Sequence, residues 1–208
     1  MSNHDALLNS RRIMNSHLPK FELNDDDAAE GGCGVVGLAC EIPVAGKHLF
    51  KSLEQMRNRG NGKGGGVAMV GLDHGQFGVS QHVLKNDYLY AIAYLDDSVR
   101  KDVEKEFIHS EFEVDHIHEV PMLENWRDLP NLEVKPPDVV CYFIRPKPAA
   151  VKQFLAAGNL NESDFSDKKA MWDEMVFQNS HKLNVEYYAK EQRADAFVLS
   201  HGQNMIIL

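Results

Sequence analysis

CGVVGLACEI, residues 33–42, is an apolar run rich in β-branched residues, closed by Gly32 before it and Pro43 after it. Continuous apolar character between two breakers reads as a strand covered on both faces. Cys33 stands at its first position. Upstream, residues 24–32 read NDDDAAEGG, acidic and small side chains with little to bury, ending in two glycines. That composition reads as a linker.

Downstream, Leu49, Leu53 and Met56 recur at helical spacing, with Lys47, Lys51, Glu54 and Arg57 for the wet face, so a helix is expected over 45–59. The glycine run 59–66, RGNGKGGG, stops it. VAMVGL (67–72) then reads as a strand, with FGVSQHV (77–83) as its partner across a turn at 73–75. Val99, Val103 and Phe107 predict a helix over 96–110. FEVDHIHEV (112–120) and DVVCYFIRP (138–146) read as strands flanking a polar, proline-containing loop. Residues 147–157 and 168–188 read as helices, and AFVLS (196–200) and MIIL (205–208) as a hairpin across 201–204. Ahead of the linker, Ala6, Leu7, Leu8, Ile13, Met14 and Leu18 give one weakly amphipathic helix, which suits a docking prosegment and a dispensable tail equally. The chain stops at Leu208 inside an apolar run with no turn or cap, so it reads as the front of a longer protein.

Composition narrows the function classes. Hydrophobic residues at 43% and charged residues at 25% sit near the average of ordinary globular proteins, against disorder. A net charge of -9 leaves no basic field for nucleic acid. No apolar run approaches a membrane span. Cys33, Cys40 and Cys141 are odd in number and lack paired spacing, so a disulfide framework is not expected and a reducing compartment is. The first residues lack the apolar core of a secretory signal, which makes the cytoplasm the expected location.

A cysteine placed between a Gly-Gly linker and a buried strand is where an N-terminal nucleophile would sit. Cleavage before it would turn its own nitrogen into a free amine, and an α-amino group with a pKa of about 7.7 to 8 can take the thiol proton near neutral pH. The plainer reading is a small apolar residue in a strand. Other patterns are weaker. Gly60, Gly62 and Gly65 match G-x-G-x-x-G, but a dinucleotide fingerprint follows a strand and opens a helix, the reverse of the order here. Lys63 lacks the Ser or Thr that completes a phosphate loop. His116 and His118 share a strand face near Asp115 and Glu119, which reads as a solvated face more readily than as half of a metal site. Cys33 and Cys40 are too loosely spaced for a zinc knuckle, and Cys141, among Val139, Val140, Tyr142 and Phe143, reads as core.

CGVVG at 33–37, followed by a helix and then RNRGNGKGGGVA at 57–68, resembles the opening of class II glutamine amidotransferases. Within that group, DYLYAIAYLDD, VVCYFIRPK, FQNSHKLNVEYY and FVLSHGQNM resemble the glutamate-synthase-related amidotransferase subunits, over essentially all of 33–208. The resemblance implies an α+β protein with the αββα sandwich of the N-terminal nucleophile hydrolases, present in part. It divides the chain into a prosegment, 1–32, and the N-terminal part of the amidotransferase domain, 33–208, with an α+β insertion over about 85–190. It makes Cys33 the catalytic nucleophile of a glutaminase, with Arg59 and Gly60 lining the glutamine pocket. The family's glutamine-carboxylate arginine, Asn-Gly oxyanion pair and substrate aspartate are expected beyond Leu208. The implied partners are glutamine and an ammonia-accepting synthase subunit or domain, in a hetero-oligomer. Flavin and iron-sulfur groups would belong to that synthase; no cofactor and no metal is assigned to this chain. The rival expectation is an uncleaved, noncatalytic subunit of the same fold.

Overall fold

The computed structural model describes residues 3–19, 34–56, 59, 65–122, 124–128, 135–190 and 193–208. In chain order the helices are α1 (Asn3–Ser16), α2 (Phe50–Met56), α3 (His74–Phe77), α4 (Gln81–Asn86), α5 (Arg100–Val103), α6 (Pro148–Gly158) and α7 (Lys168–Asn184). The strands are β1 (Ala68–Val70), β2 (Tyr88–Tyr94), β3 (Phe112–Glu119), β4 (Asp138–Pro146), β5 (Ala196–Gly202) and β6 (Met205–Ile207). The fold is α+β: an antiparallel sheet ordered β3-β4-β2-β5, and a two-stranded ladder of β1 with β6.

β2, YLYAIAY, is buried at every position and explains the layering. Side chains alternate faces along a strand, so Tyr88, Tyr90, Ile92 and Tyr94 enter one core while Leu89 and Ala91 enter another. The first core is closed by α7 through Met175, Val176 and Leu183, by α6 through Ala150 and Val151, and by Ala6 of α1. The second holds Leu84 of α4, Cys141 and Phe143 of β4, and Ile206 of β6. Five tyrosines in the first core, Tyr187 with its hydroxyl on Glu106 among them, need partners for their hydroxyls. Tyr90 donates to Asn179 Oδ1 at 2.8 Å, Tyr88 donates to Asp173, and Tyr142 donates to Glu104 Oε1 at 2.8 Å while lying 2.9 Å from the Tyr94 hydroxyl.

The helices expected over 96–110, 147–157 and 168–188 are present, the first and last finishing in widened π turns at Glu104–Ile108 and Val185–Ala189. The expected strands at 112–120 and 138–146 pair with each other as β3 and β4, with a register shift between Val114 and His116. Three expectations fail. Residues 34–42 form no strand; Val35 is 90% exposed and Ile42 is 72% exposed, because among the described residues no backbone pairs with them. Residues 77–83 do not pair with β1. Asp73 accepts from Gly75 N, Ser80 accepts from Val83 N, and Gly78 at φ +70° ends α3, so local capping makes two short helices instead. β5 and β6 do not form a ladder either: β5 pairs with β2 and β6 with β1, and the link between them is Ser200, whose Oγ accepts from Ile207 N at 3.0 Å.

Candidate functional site

Cys33 and Gly60 lie outside the described residues, as do the linker 24–32 and glycines 62 and 64 of the run. What the structure describes is their immediate surroundings. Gly34 lies against the end of α2: a Cβ added there would sit 3.0 Å from Met56 Sδ and 3.2 Å from Arg59 Cβ. Those distances are tighter than most Cβ contacts, so a side chain at 34 would push Met56 and Arg59 back by a few tenths of an ångström, and the glycine lets this segment lie close to Arg59. Arg59 itself is exposed. The same region is tied to β1 at Gly46, whose added Cβ would meet Met69 Sδ at 3.2 Å. β1 continues backward through a reciprocal pair of bonds, Val67 N to Leu208 O at 2.8 Å and Leu208 N to Val67 O at 3.0 Å. A Cβ at Gly66 would come within 2.7 Å of Leu208 O, so the end of the glycine run is also built for close backbone approach. Gly34 thus lies at the end of α2, while residues 66 and 67 lie against Leu208 at the start of β1. Val35, Leu38, Ile42 and Val70 are exposed apolar residues of the same region.

Two clefts among the described residues lie elsewhere. One, of about 320 Å³, runs between α7 and β5, with Phe177, His181, Ser200 and His201 among its walls. The other, of about 380 Å³, lies between α1, α6 and α7, with Ile13, Met14, Phe154 and Gln178 among its walls. Arg59 lines neither.

One polar cluster escapes a reading of the sequence. Asp87, between α4 and β2, is buried, and its Oδ1 lies 3.3 Å from Arg145 Nε. Its Oδ2 has no hydrogen-bond partner. Arg145 also holds Asp115 in a two-point fork, at 3.0 Å and 2.7 Å. Burial first, then the neighbouring Asp115 carboxylate, raise the Asp87 carboxyl to about 7 against the pull of Arg145. Asp115 is held low, mainly by its bonds from Arg145. Asp87, Asp115 and Arg145 are far apart in sequence, and only the β3-β4-β2 register brings them together; no spacing rule could have found them.

His116 and His118 are half-buried rather than on a solvated face. The shift after Val114 turns them toward the second core, where His118 meets Phe77 edge-on at 5.2 Å and His116 lies 6.0 Å from Phe143. Burial, and then the neighbouring His116, push the His118 pKa down. Among the described residues no three metal-ligating side chains converge. Cys141 is fully buried, as its apolar neighbours imply, and burial pushes its thiol up to about 12; Cys40 is exposed. No helix among the described residues is long and apolar enough to cross a membrane.

No protein-family model, curated protein or solved structure matches the chain.

Proposed function

We propose that the chain carries the nucleophile of a class II glutamine amidotransferase, an N-terminal nucleophile hydrolase in which Cys33 becomes the first residue after removal of 1–32. More narrowly, the glutaminase releases ammonia to a synthase partner of the glutamate synthase kind, in a hetero-oligomer of the cytoplasm. The observation that carries the reading is the approach of Gly34 to Arg59. Gly34 and Arg59, 25 positions apart in the sequence, are the described residues of the Cys-Gly motif and the Arg-Gly segment, and their closeness supports the reading.

The chemistry uses the chain's own groups. The freed amine of Cys33 takes the thiol proton, and the thiolate attacks the side-chain amide carbon of glutamine. The C–N bond breaks, the leaving nitrogen takes the proton from the ammonium, and ammonia departs. Water, deprotonated by the same amine, then cleaves the thioester to glutamate and restores the thiol. Arg59 and Gly60 line the glutamine pocket in this reading.

A second reading is also compatible with the docking of the leader. α1, within the expected prosegment, is docked by a two-point ion pair to α7, as a segment that stays attached would be. On that reading the chain is a noncatalytic structural or regulatory subunit with an amidotransferase-like fold. Intact mass under denaturing conditions and N-terminal sequencing, on the protein as its source makes it, separate the two. A mature chain beginning at Cys33, with glutaminase activity lost in Cys33→Ala, supports the enzyme. A single chain beginning at Met1 or Ser2 and inert toward glutamine refutes it.

A further inference from the structure

The surface of α1 that faces the protein is built as an interface. Ala6, Ser10 and Met14, four residues apart, are all buried, whereas His4, Leu8, Arg12 and Ser16 are exposed. Ser10 is wholly buried and sits over Gly158 at the end of α6, where an added Cβ would come within 2.5 Å of its Oγ. The absence of a side chain at 158 is what seats the helix. Gln178 Nε2 donates to Ser10 Oγ at 3.0 Å, and also to Glu174 Oε1 at 3.0 Å.

Glu174 is 6% exposed and accepts two bonds from Arg11, Nε to Oε1 at 2.8 Å and Nη2 to Oε2 at 2.6 Å. The Arg11 guanidinium also lies 4.6 Å from the centre of the Phe177 ring. A last contact joins His181 Nε2 and Asn15 Oδ1 at 3.2 Å. A two-point arginine–carboxylate fork is among the stronger polar contacts available, and it is shielded here by an aromatic face. Contacts from Ala6 to Asn15 do not depend on the peptide bond between residues 32 and 33.

We infer that α1 is a permanent part of the fold: when the chain is cut before Cys33, the released peptide 1–32 stays bound to α6 and α7 as a second, noncovalently held chain. The occupant of this groove is the protein's own leader, and the mature protein is a two-chain particle. This rests on the proposed cleavage, but the test need not. A recognition sequence for a specific protease, placed within 24–30 of the full protein, allows the cut to be made at will. After cutting, native mass spectrometry and gel filtration should show one particle containing both pieces, and denaturing conditions should part them.

Arg11→Ala, an alteration on the accessible side of the contact, should speed loss of the peptide on the order of tenfold or more. Gly158→Ala, which pushes into Ser10, should do the same without touching any charge. Free peptide in native buffer after the cut, whether or not the remainder stays folded, overturns the inference. So does retention unaffected by both substitutions. The two proposals fail separately. A protein never cut before Cys33 sinks the nucleophile reading and leaves this result standing, and a peptide lost after the engineered cut leaves the nucleophile reading untouched.

Discussion

The substitution Asp87→Asn should make the protein more stable in mild alkali and flatten part of its pH dependence. In the native protein burial and Asp115 raise Asp87 to about 7, while an unfolded aspartate titrates at about 3.9. The folded state therefore holds a proton that the unfolded chain has lost. The stabilising contribution is complete below pH ~4 and disappears as pH rises through about 7. At about 1.4 kcal/mol per pH unit the whole effect is bounded on the order of 4 kcal/mol, of which about 2 kcal/mol falls between pH 5.5 and 8.5. The asparagine amide would mimic the protonated acid, its oxygen accepting from Arg145 and its nitrogen donating to Asp115. His118, His181 and His201, whose pKa values burial pushes down, contribute with the opposite sign, gaining stability as pH rises. The informative quantity is therefore the difference between variant and parent. Urea unfolding at pH 5.5 and 8.5 measures it. The variant should gain about 2 kcal/mol on the parent between the two pH values. A difference that does not change with pH, or a variant less stable than the parent at pH 8.5, would refute the assignment of a protonated Asp87.

Three further outcomes follow from single contacts. A maleimide probe applied to the folded protein should label exposed Cys40 and spare Cys141, whose thiol is buried and held protonated to about 12; peptide mapping reads this, and labelling of Cys141 without denaturant would contradict it. Asn179 is 1% exposed and joins the Tyr90 hydroxyl to the Phe107 carbonyl, so Asn179→Ala should cost about 2 kcal/mol in urea unfolding, and a loss within error of zero would be wrong for a buried bridge. Ser80→Ala removes the acceptor for Val83 N at the start of α4 and should cost about 1 kcal/mol in the same assay.

The parts of the fold legible in the sequence are not all legible for the same reason. In α6 Ala150, Val151, Phe154 and Leu155 recur at the helical period and pack inward, whereas β4 is readable as one continuous β-branched and aromatic run ending at Pro146, without alternation. β2 cannot be assigned from its pattern: every position is buried, so alternation vanishes and the run of tyrosines and alanines has no period to read. Residues 34–42 mislead for the opposite reason. They have a strand's composition, but composition cannot supply a partner backbone, and none pairs with them among the described residues. At 73–83 the apolar residues suggest a strand while Asp73, Gly78 and Ser80 carry capping signals, and local hydrogen bonding prevails. As for the site, Arg59 and the glycines are read as a motif, and of the three expected site residues only Arg59 falls among the described ones. The Asp87–Arg145–Asp115 cluster is illegible because it exists only through strand register.

The docking of α1 changes how processing must be tested. Were the leader a free tail, a single N-terminal sequence would settle whether Cys33 had been exposed. If the leader remains seated on Glu174 and Gly158, a fully processed preparation yields two N-termini in equal amount, one at Met1 or Ser2 and one at Cys33. A native mass would equal the uncut mass plus one water. Either signal, taken alone, would be misread as half-processed or unprocessed protein. Persistence of the leader in the particle is therefore no argument against catalysis. What separates the enzyme from its noncatalytic rival is the bond before Cys33, seen only when the two pieces are parted in denaturant. A preparation with equimolar termini, two masses in denaturant and one in native buffer would satisfy both proposals. One mass in both solvents, with no glutaminase activity, would leave the amidotransferase-like subunit as the surviving reading.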